Sequence, residues 1–267
     1  MNIVLRPESV FSVFITVCFK GFYLFVDAKI DPHCANLWHI KYFFANMIRL
    51  VVFDLDGTLL DTRRDIAEAC NYALRSCGCP ERSLGEYNML VGRGITNLFR
   101  GALPEECRSE EMVEKMRSFF VPYYNEHSCN FTVPYEGVDE LLENIAGKGV
   151  ALAIASNKYQ QGTQGLVDRY FGRHSFAAVL GERPGHPIKP DPSIVLEAME
   201  AAGVTDPDEV VYCGDSDVDM KTGIGAGVKT VGVTWGFRTR EELEAYSPWM
   251  LADTAGQIYE ALSQYLK

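Results

Sequence analysis

Short apolar runs separated by amphipathic stretches recur along the chain from residue 47 onward. Five runs have the length and β-branched content of strands: 49–54 (RLVVFD), 150–155 (VALAIA), 177–180 (AAVL), 209–213 (EVVYC) and 228–233 (VKTVGV). None alternates strictly, and helical periods lie between them. That pattern predicts a parallel sheet buried on both faces by helices, an α/β fold of three layers. One helix is predicted in detail, with Asp191 as N-cap, Pro192 first, an apolar face of Val195, Ala198, Met199 and Ala202, and Gly203 as its stop. A second, over 159–172, is interrupted by Gly162 and Gly165.

Nearly a hundred residues separate the first two strands, far more than one crossover needs. Stretches 61–78 and 109–127 read as helices with polar outer faces. Residues 63–134 are therefore expected to form a small helical insert in a main domain built from 47–62 and 135–267.

The first 46 residues follow another pattern. The segment 10–26 (VFSVFITVCFKGFYLFV) is apolar but broken by Lys20, and it is at the short end of the ~17–25 residues that cross a bilayer. It has no small-x-small cleavage site after it, and Met47 stands just before the first confident strand. Residues 1–46 are expected to lie outside the fold, as sequence translated from an upstream start codon, with a weak membrane anchor as the alternative.

Composition narrows the functional classes. A formal charge of −11, from 25 basic and 36 acidic residues, excludes a nucleic-acid partner that would need a basic face. Eight cysteines without CxxC spacing point to free thiols in the cytoplasm rather than to zinc or disulfides.

Candidate chemistry lies where the apolar runs end. In VVFDLDGTLLDT (51–62) a buried-strand pattern meets Asp54 and Asp56, which an extended chain projects to the same side. Carboxylates held together repel, so a cation or a proton must offset them. GDSDVD (214–219) follows the fourth strand in the same way; it is not a calcium loop, because Met220 and Ala226 occupy the positions of the required glycine and glutamate. Asp215 reads as a further oxygen ligand. Ser156 and Asn157 in ASNK (155–158) suit phosphate oxygens, and Lys189 in IKPDP (188–192) is held between prolines. Ligands in such sheets bind beyond the carboxyl ends of the strands, where the strand order reverses.

The set of DxDGT at 54–58, Ser156, Lys189 and GDxxxD at 214–219 resembles the haloacid dehalogenase superfamily over residues 47–267. GERPGHPIKPDP (181–192) and GVTWGFRTREEL (232–243) look like its bacterial phosphoglycolate phosphatases. The resemblance implies a Rossmann-like core with a helical cap and an Mg²⁺-dependent phosphomonoesterase acting on a small phosphorylated metabolite, with 2-phosphoglycolate as the best single substrate.

By the same resemblance Asp54 is the nucleophile that forms an aspartyl phosphate, and Asp56 is the acid and base, its pKa raised by neighbouring carboxylates. Mg²⁺ is held by Asp54, the Asp56 carbonyl and Asp215; Lys189, Ser156 and Asn157 bind the phosphoryl oxygens, and Asp219 acts through Lys189 or a metal-bound water. A β-phosphoglucomutase-like mutase and a sugar-phosphate or pyrophosphate phosphatase are the alternatives. A non-catalytic binding protein would have no reason to keep mutually repelling acids.

In VGRGITNLF (91–99) Arg93 either reaches a substrate carboxylate or lies in an exposed turn. His186 is read either as a leaving-group contact or as a surface residue, and Arg238 as structural. The protein is expected to be a monomer or homodimer, away from membranes.

Overall fold

The computed structural model describes residues 11–19, 22–30 and 47–266, in two units divided near residue 45. The first unit contains strands β1 (Phe11–Phe19) and β2 (Phe22–Ile30), an antiparallel pair running from Phe11 opposite Ile30 to Phe19 opposite Phe22. Aromatic and β-branched residues fill these strands, which suits the extended backbone. The rest of the segment 1–46 lies outside the described residues. Among the described residues, no helix is long and apolar enough to cross a membrane.

The second unit is built on a six-stranded sheet of order β10-β9-β8-β3-β6-β7, in which every neighbouring pair is parallel. Its strands are β3 (Leu50–Phe53), β6 (Ala151–Tyr159), β7 (Ala178–Glu182), β8 (Val210–Gly214), β9 (Lys229–Val233) and β10 (Met250–Ala252). Residues of β3 point alternately to the two faces. Val51 and Phe53 join a core with Leu142, Phe171 and Ile258, while Leu50 and Val52 join one with Ile194, Val195 and Met199. Each face is thus closed by its own helices, giving the three layers.

The detailed helix prediction is offset by one residue. The helix runs Ser193–Ala202 with Pro192 as its N-cap, and Asp191 caps from outside by accepting the Ser193 N–H at 2.9 Å. Gly203 ends it with φ +66°, a conformation that glycine adopts without steric cost.

Between residues 62 and 132 the chain forms the α-helices Arg63–Ser76, Tyr87–Leu90, Ile95–Ala102 and Glu110–His127. Ile66, Leu74, Phe99, Met116, Phe120 and Tyr124 give these helices a buried cluster of their own. The segment leaves and returns through two short strands, β4 (Leu60–Asp61) and β5 (Val133–Pro134), which pair antiparallel.

Candidate active site

Strand β3 sits between β8 on one side and β6 on the other, so the strand order reverses at its carboxyl end. Asp54 is the first residue past that end, and its N–H extends the ladder by donating to Cys213 O at 2.9 Å. Gly57 then turns the chain at φ +90°, with its N–H on Leu60 O at 2.8 Å. A Cβ at Gly57, or at Gly236 on the loop after β9, would collide with the Asp215 carboxylate. The two glycines therefore let both loops close over that acid, and the Phe237 N–H donates to Asp215 Oδ2 at 2.6 Å.

Asp54, Asp215 and Asp219 each place a carboxylate oxygen within 4.8 Å of the others, and all three are buried. Burial, with the charges of Asp219 and Asp56, pushes Asp54 up to about 7 against the opposing pull of Lys189. Asp215 lies well above the carboxylate range because of burial and the charges of Asp219 and Asp54. Two acids that resist ionisation for want of positive charge, with clearance cut for one of them by glycine, fit a hard divalent cation.

Asp219 differs from the other two because its oxygens are already used. Oδ1 accepts from Lys189 Nζ at 2.7 Å and Tyr212 OH at 2.8 Å, while Oδ2 accepts from Ser216 N at 3.0 Å and from Ser216 Oγ. Lys189 Nζ also reaches Asp54 Oδ1 at 2.8 Å and Ala155 O at 3.0 Å. Burial opposes the Lys189 charge, yet Asp219 and Asp54 outweigh it and raise its pKa above the ordinary lysine value. Tyr212, absent from the sequence reading, ties this group together from inside β8.

Strand β6 continues beyond residue 155, through a register irregularity, to Tyr159 opposite Glu182. This carries Ser156, Asn157 and Lys158 across the site. Ser156 is buried beside Asp54 and lines the same cavity.

The Asn157 side chain is engaged within the protein. Its Nδ2 donates to Gly92 O and Lys189 O at 3.1 and 3.0 Å, and its Oδ1 accepts the Lys189 N–H at 2.8 Å. Through these bonds the Asn157 side chain braces the Lys189 backbone. Arg93, on a half-exposed turn, holds Asp217 at 3.0 Å and is not among the cavity-lining residues described. His186 is half exposed beside Glu197, and Arg238 is buried with its guanidinium on the carbonyls of Asn88 and Val91.

Asp56 is buried, but its partner is a lysine rather than a second carboxylate. Lys158 Nζ lies 3.1 Å from each of its oxygens. The signal that could have revealed Lys158 is its i, i+2 spacing from Ser156, which on an extended chain puts both on one face.

A cavity of about 40 Å³ opens on this group, with Asp54, Asp56, Ser156 and Lys158 on its polar side and Ile66, Leu98 and Phe120 on its apolar side. Residues 51–233 match the family described as haloacid dehalogenase-like hydrolase. The chain belongs to that family. Among relatives of this hydrolase, the phosphoglycolate phosphatase of Pseudomonas putida KT2440 is 33% identical over 217 residues, covering 80% of this chain and 79% of its own. That of Aquifex aeolicus VF5 is 33% identical over 190 residues, covering 71% and 86%. The crystal structure of a predicted phosphoglycolate phosphatase from Haemophilus somnus 129pt superposes with a TM-score of 0.74 at 28% identity, covering 80% of the hydrolase and 97% of that chain.

Proposed function

We propose that this hydrolase is an Mg²⁺-dependent phosphomonoesterase of the cytoplasm whose substrate is a small phosphorylated metabolite, 2-phosphoglycolate before others. The observation that carries the reading is Asp54. It is a buried carboxylate at the sheet's switch point, with a lysine on one oxygen, a second acid able to share a cation, and a small cavity in front of it. The relatives named as phosphoglycolate phosphatases supply the substrate. In this reading residues 63–134 serve as a cap over a core of 47–62 and 135–267, and residues 1–46 stand outside both.

Asp54 attacks phosphorus as the bond to the ester oxygen breaks, and the departing alkoxide takes a proton from Asp56. Water then attacks phosphorus, the Asp54–phosphorus bond breaks, and Asp56 recovers a proton from that water. The Asp54 carboxylate, the Asp56 carbonyl and Asp215 would hold Mg²⁺, which when bound supplies the positive charge needed for an anion to approach a phosphate dianion. Lys189 adds fixed charge at the phosphoryl oxygens and is aimed by Asp219, Tyr212 and Asn157. Ser156 offers its hydroxyl to one of those oxygens.

The test is phosphate release from 2-phosphoglycolate with Mg²⁺ and with chelator. Release that depends on the metal supports the reading; metal-independent release, or none from a panel of phosphorylated metabolites, contradicts it.

A further inference from the structure

The mechanism leaves one buried cation without a task. The Lys158 side chain is only 5% exposed, and its ammonium also rests 4.5 Å from the centre of the Tyr124 ring. Taking an ammonium out of water is costly unless its donors are satisfied. Two of its three protons are accounted for by Asp56, and among the described residues no further acceptor bonds to it. Lys189 is the contrast. Its Nζ is shared among Asp54, Asp219, Ala155 O and Tyr212 OH, leaving no donor free.

The surroundings of the spare donor are informative. Lys158 lines the cavity in front of Asp54 and is the only basic side chain among the lining residues described. The same cavity is lined by Ile66, Val91, Ile95, Leu98 and Phe120, which offer a ligand no hydrogen bond from their side chains. An anion entering this space meets repulsion from the Asp54 carboxylate and attraction from Lys158.

We infer that Lys158 reads the leaving group: it binds a carboxylate carried by the alcohol half of the phosphate ester. This rests on the phosphatase reading and deepens it. With Asp56 at the ester oxygen, three successive hydrogen-bond lengths put the carboxylate no more than ~9 Å from that oxygen. An equally small neutral alcohol forgoes a charge-assisted hydrogen bond, a difference of about 10- to 100-fold in kcat/KM.

The deciding measurement compares kcat/KM for 2-phosphoglycolate and for 2-hydroxyethyl phosphate, in which a hydroxymethyl group replaces the carboxylate. It uses the unmodified protein, Lys158→Met and Lys158→Arg, all with Mg²⁺. The unmodified protein should favour the carboxylate by about 10- to 100-fold, Lys158→Met should bring the ratio close to one, and Lys158→Arg should keep part of the preference. Loss of the lysine also strips Asp56 of its counter-ion, but that slows both esters alike and cancels in the ratio.

Equal use of the two esters by the unmodified protein, or an undiminished preference in Lys158→Met, would overturn the inference while leaving the phosphatase reading in place. Should Lys158→Met fail to fold, the selectivity of the unmodified protein still decides. No phosphate from either ester would overturn the phosphatase reading and this inference with it.

Discussion

Removing divalent metal should make this protein lose stability as pH rises from 5.5 to 8. Asp54 has an ordinary value of 3.8 and is pushed up to about 7 in the folded chain. Between those values the folded state holds a proton that the unfolded chain has released. The Asp54 contribution is therefore fully present below 3.8 and is lost as pH rises to about 7.

Each pH unit in that window costs about 1.4 kcal/mol, so the span from 5.5 to 7 amounts to roughly 2 kcal/mol from Asp54 alone. Asp215, also shifted upward by burial, acts with the same sign. For a chain of this size, 2 kcal/mol is a fall of about 4–8 °C in Tm. Asp139, Asp217 and Glu197 are shifted downward, so their contributions are lost only at lower pH, and the raised Lys189 holds its charge throughout the window.

A cation that binds only the folded state, in competition with protons, stabilises most where protons no longer compete. Thermal melts in chelator should show Tm falling from pH 5.5 to 8, and the Mg²⁺-induced rise should be larger at pH 8. A Tm in chelator that does not fall, or a metal-induced rise of the same size at both pH values, would refute the reasoning.

Three substitutions probe other parts of the site. Asp56→Asn should lower kcat by about 10²- to 10⁴-fold while substrate binding, followed by calorimetry, stays near normal; near-full turnover would remove Asp56 from the acid and base role. Asp219→Asn removes the negative charge 2.7 Å from Lys189 Nζ and leaves one acceptor oxygen where Lys189 and Tyr212 on one side and Ser216 on the other need two, so urea unfolding should register a loss of about 3 kcal/mol. Gly236→Ala drives a methyl group against the Asp215 carboxylate, so calorimetry should find Mg²⁺ binding weakened by about tenfold or more, and unchanged affinity would separate Asp215 from the metal.

Much of the fold was legible because the central strands are continuous apolar runs, and the site because polar residues punctuate their ends. Asp54, Ser156 and Asp215 stand at the carboxyl ends of, or within, three adjacent strands, and the structure brings them to one place. Lys189 reaches them from the loop before the helix Ser193–Ala202.

What escaped depends on tertiary context. Strand β10 is three residues long and β4 and β5 two each, too short for any period, so they exist only through their partners. Lys158 was hidden because β6 resumes pairing at Tyr159, beyond the irregularity at residue 155. The Arg93–Asp217 pair joins residues 124 positions apart, which no local pattern shows. The bonds from Asn157 to the backbone of Gly92 and Lys189 also span distant parts of the chain and leave no local signal.

The central claim is that Asp54 becomes covalently phosphorylated during turnover. Rapid quenching of the protein with phosphoryl-labelled 2-phosphoglycolate and Mg²⁺, followed by peptide mass spectrometry, should find the label on Asp54 and on no residue in Asp54→Asn. Turnover that proceeds with Asp54 never labelled, or label that persists in Asp54→Asn, would contradict the account.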